Sequence, residues 1–229
     1  MVLAKIQQSI DLYKRWLTSL RHHPRLYLWE TVQQFQTHWS TDVSDMGAMY
    51  DQSLQNSETR RLWQTETWYP KRMMLEFWRF EPKTVKWMFD DLFNETRAVE
   101  GRATRFVFGC DGLLADYKRS NQTSVENNHY HSDYKLITLY LACRYPETYA
   151  PYDLEIFQNM LRTVGAREIP EEHDIGRFFK VHATLTKFID QDPGVAAAMQ
   201  RHLNPKKHFT GKTGMLLADF GLFLADNRN

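Results

Sequence analysis

The sequence predicts an all-α fold, a compact multi-helix domain that can be divided into two helical lobes. Apolar residues recur at helical spacing along most of the chain, and prolines and glycines stand between these runs. Alternating strand patterns and hairpin signals are scarce. A length of 229 residues suits one large domain or two small, closely packed ones. We therefore expect a single helical domain over residues 1–229, with sub-lobes at 1–95 and 96–229.

Six runs of apolar residues follow the i, i+3, i+4, i+7 spacing of an amphipathic helix. In chain order, they occupy residues 6–20, 28–39, 85–93, 106–117, 154–164 and 178–189. The segment RATRFVFG (102–109) is compatible with a strand, but its apolar residues also fit the fourth run. Each run therefore predicts one helix.

Proline and glycine mark where several of these helices begin and end. Pro70, Pro82 and Pro193 stand where a first helical turn would begin, because proline needs no amide hydrogen there. Asp192 is a suitable N-cap before Pro193. Gly165 follows the fifth run, as a glycine at a helix C-terminus would.

Composition limits the classes of function that the chain can have. The formal net charge is +1, so binding to nucleic acid would have to come from a local basic patch. Cys110 and Cys143 lie in apolar helical settings, which predicts two buried free thiols in a reducing compartment. The N-terminus does not resemble a signal peptide, and no run of about 18 apolar residues occurs. We expect a cytoplasmic protein that does not span a membrane.

All seven tryptophans lie between Trp16 and Trp87, and part of this aromatic region is predicted to be a loop. The stretch SLQNSETRRLWQTETWYP (53–70) is either a long connection or a surface for a partner. Trp68 and Tyr69, just before the helix that begins at Pro70, either pack into the core or present a flat surface to a base or peptide. Stacking of one base on an exposed ring is worth about 1–3 kcal/mol.

The stretch NNHYHSDYK (127–135) has three interpretations. His129, His131 and Asp133 could bind a metal on a loop, but two histidines two residues apart point about 200° apart on a helix. Alternatively, Ser132 or Asp133 caps a helix from about 133 to 144, and the histidines form hydrogen bonds in the preceding loop. The third interpretation is contact with a ligand. Because no further ligand is apparent, we expect no metal.

The sequence offers little support for catalysis or for a nucleotide cofactor. The GKT at 211–213 resembles the end of a phosphate-binding loop, but Lys206 stands where the pattern requires a glycine. Thr210 or Thr213 is better explained as a helix cap. The common nucleophile and metalloprotease motifs are absent from the sequence. We expect no enzymatic activity and no cofactor.

Basic residues occur in small clusters along the chain. They are Arg21 and Arg25 in RHHPR, Lys71 and Arg72, and Lys118 and Arg119. Such clusters are commonly solvated surface, and Lys118 and Arg119 also suit the dipole at a helix C-terminus. If several converge on one face, that face would bind phosphates with strong dependence on salt.

Several longer phrases carry a family resemblance. They are YPKRMMLEF (69–77), WMFDDLFNET (87–96), RFVFGCDGLLADYK (105–118), NNHYHSDYKLITLYLACRYPETYAPYD (127–153) and GKTGMLLADFGLFLA (211–225). Together they resemble the N-terminal region that precedes the AAA+ motor in modification-dependent restriction proteins of the McrB type, over about residues 28–225.

The resemblance implies a division of labour among partners. In that family the N-terminal domain selects modified DNA, an AAA+ ring, GTP-specific in the best-known members, drives translocation, and a separate nuclease subunit cuts. This chain departs from the family because it contains neither a complete phosphate-binding loop nor a motor core. Its implied partners are therefore modified duplex DNA, an AAA+ motor domain or subunit, and a nuclease subunit.

The residues and the resemblance together predict a non-catalytic recognition module that binds DNA. Phosphate contacts are expected from Arg21, Arg25, Lys71, Arg72, Lys118 and Arg119. Contacts to sugar or base are expected from Asn128, His129 and His131, with Trp68 or Tyr69 stacking on an exposed or flipped base. The alternative is a protein-interaction or scaffolding module of the same system. A metal-dependent enzyme centred on the two histidines and Asp133 is a third reading.

Overall fold

The computed structural model describes residues 1–58, 60–121, 127–131 and 134–227, without the side chains of Arg60 and Arg61. Within these residues the chain forms twelve α-helices and no strand, which confirms the predicted all-α class. The helices are α1 Leu3–Ser19, α2 Tyr27–His38, α3 Met46–Ser53, α4 Arg60–Trp63, α5 Pro70–Phe80, α6 Pro82–Leu92, α7 Val99–Ser120, α8 Lys135–Arg144, α9 Leu154–Thr163, α10 Ile175–Asp190, α11 Pro193–Gln200 and α12 Met215–Asp226. No described helix is both long enough and apolar enough to cross a membrane.

The predicted helix boundaries are confirmed where proline and glycine set them. Pro70, Pro82 and Pro193 each occupy the first turn of a helix. The Asp192 carboxylate accepts a hydrogen bond from the Gly194 N–H at 2.9 Å and caps α11. After α9, Gly165 has φ +67°, a left-handed conformation that glycine adopts without strain.

Two predicted caps have a different outcome. The residue at the capping position of α12 is Gly214, and the hydroxyl of Thr213 accepts from the Met215 N–H at 3.2 Å. Thr213 therefore assists the start of α12 without being its N-cap. Ser132 and Asp133, the predicted caps of α8, lie outside the described residues, and α8 begins at Lys135.

Helix α8 lies at the centre of the molecule, because every residue from 136 to 143 is buried. The aromatic ring of Phe89, on α6, packs against the rings of Phe106 and Tyr140 with centroids 5.1 Å away in each case. A single apolar cluster contains residues from both 1–95 and 96–229. The shared core packs α8 against the aromatic first half of the chain, and the division into lobes stays a prediction.

A chain of buried hydroxyl groups passes through this core. The hydroxyl of Tyr130 donates to the carbonyl oxygen of Pro70 at 2.9 Å, and it lies 2.9 Å from the hydroxyl of Tyr140. Tyr140 is in turn 2.6 Å from the hydroxyl of Tyr50. Because each hydroxyl has one proton, Tyr140 must donate to Tyr130, and Tyr50 to Tyr140. The chain thereby connects α3 and α8 to the first residue of α5.

A second buried polar cluster joins the α1–α2 connection to α12. The Asp219 carboxylate, on α12, is fully buried and accepts from Tyr13 at 2.5 Å, from Arg25 Nε at 2.5 Å and from His23 Nε2 at 3.1 Å. His23 Nδ1 accepts from the Arg25 N–H at 3.2 Å, which places the ring proton on Nε2. Burial alone would raise the pKa of Asp219, but the hydrogen bond from His23 and the positive charge of Arg25 lower it below its usual range.

We expect Asp219→Asn to destabilise the fold by about 3 kcal/mol at neutral pH, because it leaves the guanidinium of Arg25 buried without its carboxylate. A group with a lowered folded pKa stabilises above its unfolded pKa of about 4 and loses that contribution as pH falls through the folded value. The difference between wild type and variant should therefore shrink in acid. Urea unfolding at neutral and acidic pH measures both effects.

The matched control is Asp226→Asn, which removes the other carboxylate that contacts Arg25. The Asp226 side chain is 66% exposed and lies 3.0 Å from Arg25 Nη1. We expect its loss to change the free energy of unfolding by less than about 1 kcal/mol. If both variants lost the same free energy of unfolding, the buried carboxylate of Asp219 would contribute no more to stability than the exposed one of Asp226.

Candidate nucleic-acid interface

A cleft lies between the end of α3, α4 and the first turns of α5, and three of the predicted contact residues line it. Its volume is about 390 Å³. It is lined by Asp51, Trp63, Gln64, Thr65, Glu66, Tyr69, Lys71, Arg72 and Leu75. Trp63 is 4% exposed and contributes apolar lining, whereas residues 64–66 are exposed. The cleft therefore combines aromatic rings with polar and charged groups, as ligand sites usually do.

The backbone that carries Tyr69 into the cleft is fixed by a tight turn. The Thr65 N–H donates to the Trp68 carbonyl at 2.8 Å, and the Trp68 N–H donates to the Thr65 hydroxyl at 3.1 Å. Proline at position 70 then begins α5 immediately after the turn. The position of Tyr69 is thus set from both sides.

His129 holds the same segment from the opposite loop. The Trp68 indole N–H donates to the His129 carbonyl at 2.9 Å, and the Tyr69 N–H donates to His129 Nδ1 at 2.8 Å. The rings of Tyr69 and His129 lie with centroids 4.9 Å apart. Burial lowers the pKa of His129, which favours the neutral ring that this acceptor role requires.

These contacts revise the predicted roles of Trp68 and His129. Trp68 is half-buried with its indole nitrogen occupied, and it does not line the cleft. His129 acts on Tyr69 through a hydrogen bond, so it positions the segment. Of the predicted aromatic pair, Tyr69 is the ring that faces the cleft.

The charge of Lys71 is largely balanced within the fold. Its ammonium nitrogen lies 2.7 Å from the Asp51 carboxylate, 3.0 Å from the Asp51 carbonyl oxygen and 5.7 Å from the centre of the Trp63 ring. Burial alone would raise the pKa of Asp51, but the hydrogen bond and charge of Lys71 lower it. Arg72, one residue later, is exposed. The cleft thus presents the guanidinium of Arg72 to solvent more directly than the ammonium of Lys71.

The predicted contact from Asn128 to sugar or base is corrected. Asn128 is 7% exposed, and its amide nitrogen donates to the Val107 carbonyl at 3.3 Å and to Asp111 at 3.0 Å. Its amide oxygen accepts from the Tyr130 N–H at 2.9 Å. The side chain therefore anchors the loop to α7. His131, three residues later, has a side chain that is 69% exposed and lies 3.3 Å from Asp111.

The predicted phosphate contact from Arg25 is also corrected, because its guanidinium is bonded to Asp219 and Asp226 in the buried cluster. Arg21 is exposed in the same α1–α2 connection. Lys118 and Arg119 lie in the last turn of α7, and Arg119 is ion-paired with Asp116. That turn is roughly 13 Å along the helix from the part of α7 that holds Asn128.

Three of the eleven predicted contact residues line the cleft, namely Tyr69, Lys71 and Arg72. Trp68 and His129 hold the segment that carries Tyr69, and the other six lie elsewhere or are committed to the fold. Asp51 and Trp63 line the cleft but were not predicted individually. The sequence signal for this region was the polar, tryptophan-containing stretch 53–70, which includes Trp63.

A metal site at the two histidines finds no support in the described geometry. His129 Nδ1 accepts from Tyr69, while His131 Nδ1 faces Asp111. Asp133, the third ligand considered, lies outside the described residues. Across the part of the chain that the structure describes, no three histidine, cysteine, aspartate or glutamate side chains are arranged to hold a metal ion.

Comparison with known proteins gives no match to any protein-family model, curated protein or solved structure. The candidate site therefore rests on its own geometry, and the McrB-type resemblance rests on the sequence phrases alone.

We expect His129→Ala to raise the hydrogen-exchange rate of the Tyr69 amide about fivefold, since one hydrogen bond contributes about 1 kcal/mol. Exchange measured on residues 64–72 reports this change directly. His131→Ala is the control, because His131 contacts Asp111. An unchanged Tyr69 amide in His129→Ala would show that the histidine does not hold the segment.

Proposed function

We propose that this chain is a non-catalytic recognition module of a McrB-type defence system and that it binds DNA through the cleft at the start of α5. The sequence phrases support the membership of that system. The arrangement of Tyr69 and Arg72 beside an open cleft supports the binding of nucleic acid. An AAA+ motor domain or subunit and a nuclease subunit would be its partners, in the cytoplasm.

The observation that carries the proposal is the pairing of an aromatic ring with an exposed guanidinium at a cleft of about 390 Å³. A planar ring held by a fixed backbone stacks on a base without losing much conformational freedom. A guanidinium three residues further along the chain, in the first turn of α5, binds a phosphate oxygen pair in a bidentate manner. Together they suit an unpaired or flipped nucleotide better than an intact duplex groove.

The charge balance predicts modest affinity for one module. Net charge is +1, Lys71 is paired with Asp51, and Arg25 is buried with Asp219. One or two phosphate contacts would make binding only weakly dependent on salt. The logarithm of the association constant should fall with the logarithm of the salt concentration with a slope of about −1 to −2. Several modules on one assembled ring would raise the effective affinity by avidity.

We expect Tyr69→Ala to weaken binding to modified or single-stranded DNA by about 5- to 150-fold, since stacking contributes about 1–3 kcal/mol. Arg72→Gln should weaken binding and also reduce the salt dependence, because a phosphate contact is lost. Fluorescence anisotropy with labelled plain duplex, base-modified duplex and single-stranded DNA at two salt concentrations measures these effects.

The matched control is Arg79→Gln, which makes the same charge change seven residues later on α5. The Arg79 side chain is 68% exposed, pairs with Glu76 and does not line the cleft. It should bind DNA as the wild type does. If wild-type chain shows no salt-sensitive binding to any of the three DNAs, or if Arg79→Gln is as defective as Arg72→Gln, DNA recognition by the cleft is rejected. Stoichiometric zinc in the purified chain would overturn the non-catalytic assignment.

The alternative, a protein-interaction or scaffolding module, is favoured by a different surface. Phe108 on α7 is 69% exposed and Trp87 on α6 is 57% exposed. Large exposed aromatic side chains on neighbouring helices are typical of surfaces that bind another protein. Absence of DNA binding together with concentration-dependent assembly would favour this function.

A further inference from the structure

A second cavity lies against the connection between α11 and α12. Its volume is about 250 Å³. Its walls come from the end of α10, the second half of α11, the first turn of α12, Trp29 of α2 and the connection itself. No residue that lines this cavity also lines the cleft at the start of α5. The cavity is therefore a separate candidate site, independent of the proposed binding of DNA.

The connection that forms one wall is long but tied to the fold. Residues 201–214 contain no helix or strand, and irregular connections of this length inside a compact domain are uncommon and usually functional. The Phe209 N–H donates to the Trp29 carbonyl oxygen at 3.1 Å. The Gly214 N–H donates to the Pro146 carbonyl oxygen at 2.7 Å. These two bonds fix the connection to α2 and to the segment after α8.

Two further features hold the same wall in place. Gln200 Nε2, at the end of α11, donates to the Thr210 carbonyl oxygen at 3.1 Å. A Cβ added to Gly214 would lie 2.8 Å from His182 Nε2, so glycine lets the start of α12 approach α10 closely. The cavity is thus formed before any ligand arrives, which lowers the entropy cost of binding.

Apolar side chains make most of the interior surface. Trp29, Ile189 and Met199 are buried, and Leu203 and Leu216 are half-buried. A cavity of about 150 Å³ holds one benzene molecule, so this larger one has room for a body of about ten non-hydrogen atoms. An apolar interior with a few polar groups is typical of sites for small organic molecules.

The charged groups at the cavity are two carboxylates and one ammonium, which gives the lining a net charge of −1. Lys212 Nζ lies 2.5 Å from the Asp190 carboxylate, so these two groups balance each other. The hydrogen bond and charge of Asp190 raise the pKa of Lys212, and the charge of Glu147 adds to this rise. Glu147 itself forms no ion pair among the described residues. One carboxylate therefore remains available to a cation.

A buried hydroxyl group adds a second unsatisfied acceptor. Thr186 lines the cavity, and its hydroxyl oxygen is buried without a hydrogen-bond partner in the described part of the chain. Leaving such a group unpaired is unfavourable, and a ligand that donates a hydrogen bond would remove that cost. An ammonium group has three donors and no acceptor, so it complements both the Glu147 carboxylate and this hydroxyl.

An anion such as phosphate fits the cavity less well, although the GKT at 211–213 lines it. A helix N-terminus binds phosphate through free N–H groups, and at α12 these groups are occupied. The N–H of Met215 donates to the Thr213 hydroxyl at 3.2 Å, and that of Leu216 donates to the Thr213 carbonyl oxygen at 3.3 Å. The N–H of Gly214 is used in fixing the connection. The net negative charge of the lining also repels an anion.

We propose that this cavity binds a small organic amine, with its ammonium group near the Glu147 carboxylate and its apolar or aromatic body between α10, α11 and the connection. The carboxylate selects the charge of the ligand, and the volume selects its size. For a ligand of about ten non-hydrogen atoms we expect a dissociation constant on the order of 0.1–1 mM.

Titration of the full chain at neutral pH, followed by NMR chemical shifts, tests the proposal with four probes. They are 2-phenylethylamine, its neutral analogue 2-phenylethanol, the anion phenylacetate and inorganic phosphate. The amine should bind most tightly, the alcohol more weakly, and the two anions should not bind. The proposal is overturned if the amine does not bind at concentrations well above the expected dissociation constant, or if either anion binds as tightly as the amine.

The role of charge is tested by Glu147→Gln. This variant should bind the amine about three- to tenfold more weakly, because one partly solvated ion pair is lost, and should bind the alcohol as the wild type does. Glu172→Gln is the matched control, since it makes the same charge change at an exposed position outside the cavity. An equal effect of the two variants on the amine would show that general charge attraction, and not this carboxylate, holds the ligand.

The place of binding is tested by two alanines on α11. Ala196 lines the cavity and Ala197 does not, and both are exposed, so leucine at either position is compatible with folding. Ala196→Leu should weaken binding of the amine and the alcohol by about tenfold or more, because the larger side chain occupies the space that the ligand needs. Ala197→Leu should bind both as the wild type does. If Ala196→Leu also binds both unchanged, the amine is bound elsewhere and the assignment of the cavity is wrong.

Discussion

The buried hydroxyl chain from Tyr50 through Tyr140 and Tyr130 to the Pro70 carbonyl is the contact on which the candidate site depends. It crosses the core between α3 and α8 and ends at the residue that begins α5. A phenol buried without a partner is unfavourable, so the three rings must keep their relative positions for all three hydroxyls to be satisfied. Burial raises the pKa of each phenol, which keeps the protons in place. The first residue of α5, next to the cleft, is thereby fixed to α8 at the centre of the fold.

Three carboxylates, those of Asp219, Asp91 and Asp51, bind cations within the fold. Asp219 gathers Tyr13, His23 and Arg25, and a second cluster brings Arg97 and Arg105 onto Asp91. Lys71 is held by Asp51. At the cleft, Arg72 remains exposed while Lys71 is paired. For the proposed recognition of DNA, we therefore expect shape and aromatic contact at the cleft to contribute more than electrostatic attraction.

Helical periodicity and proline positions were sufficient to predict the fold class and most helix boundaries. Those signals are local, since a helix is recognised from residues within two turns of one another. The candidate site was predictable only in part, because the contacts that decide it join residues far apart in the sequence. Arg25 reads as a surface cation, yet its carboxylate partner lies 194 positions away in the chain. Asn128 reads as a loop amide, and only the packing of its loop on α7 reveals that its hydrogen bonds are already made.

Alkylation of the two cysteines would report global opening of the fold. Cys110 and Cys143 are both fully buried, and burial raises the pKa of each thiol, so neither is present as a reactive thiolate in the native state. An alkylating reagent would reach these thiols only when α7 or α8 leaves the core. Because α8 is enclosed on every side, labelling of Cys143 reports the loss of the whole interior, with no tag or substitution needed.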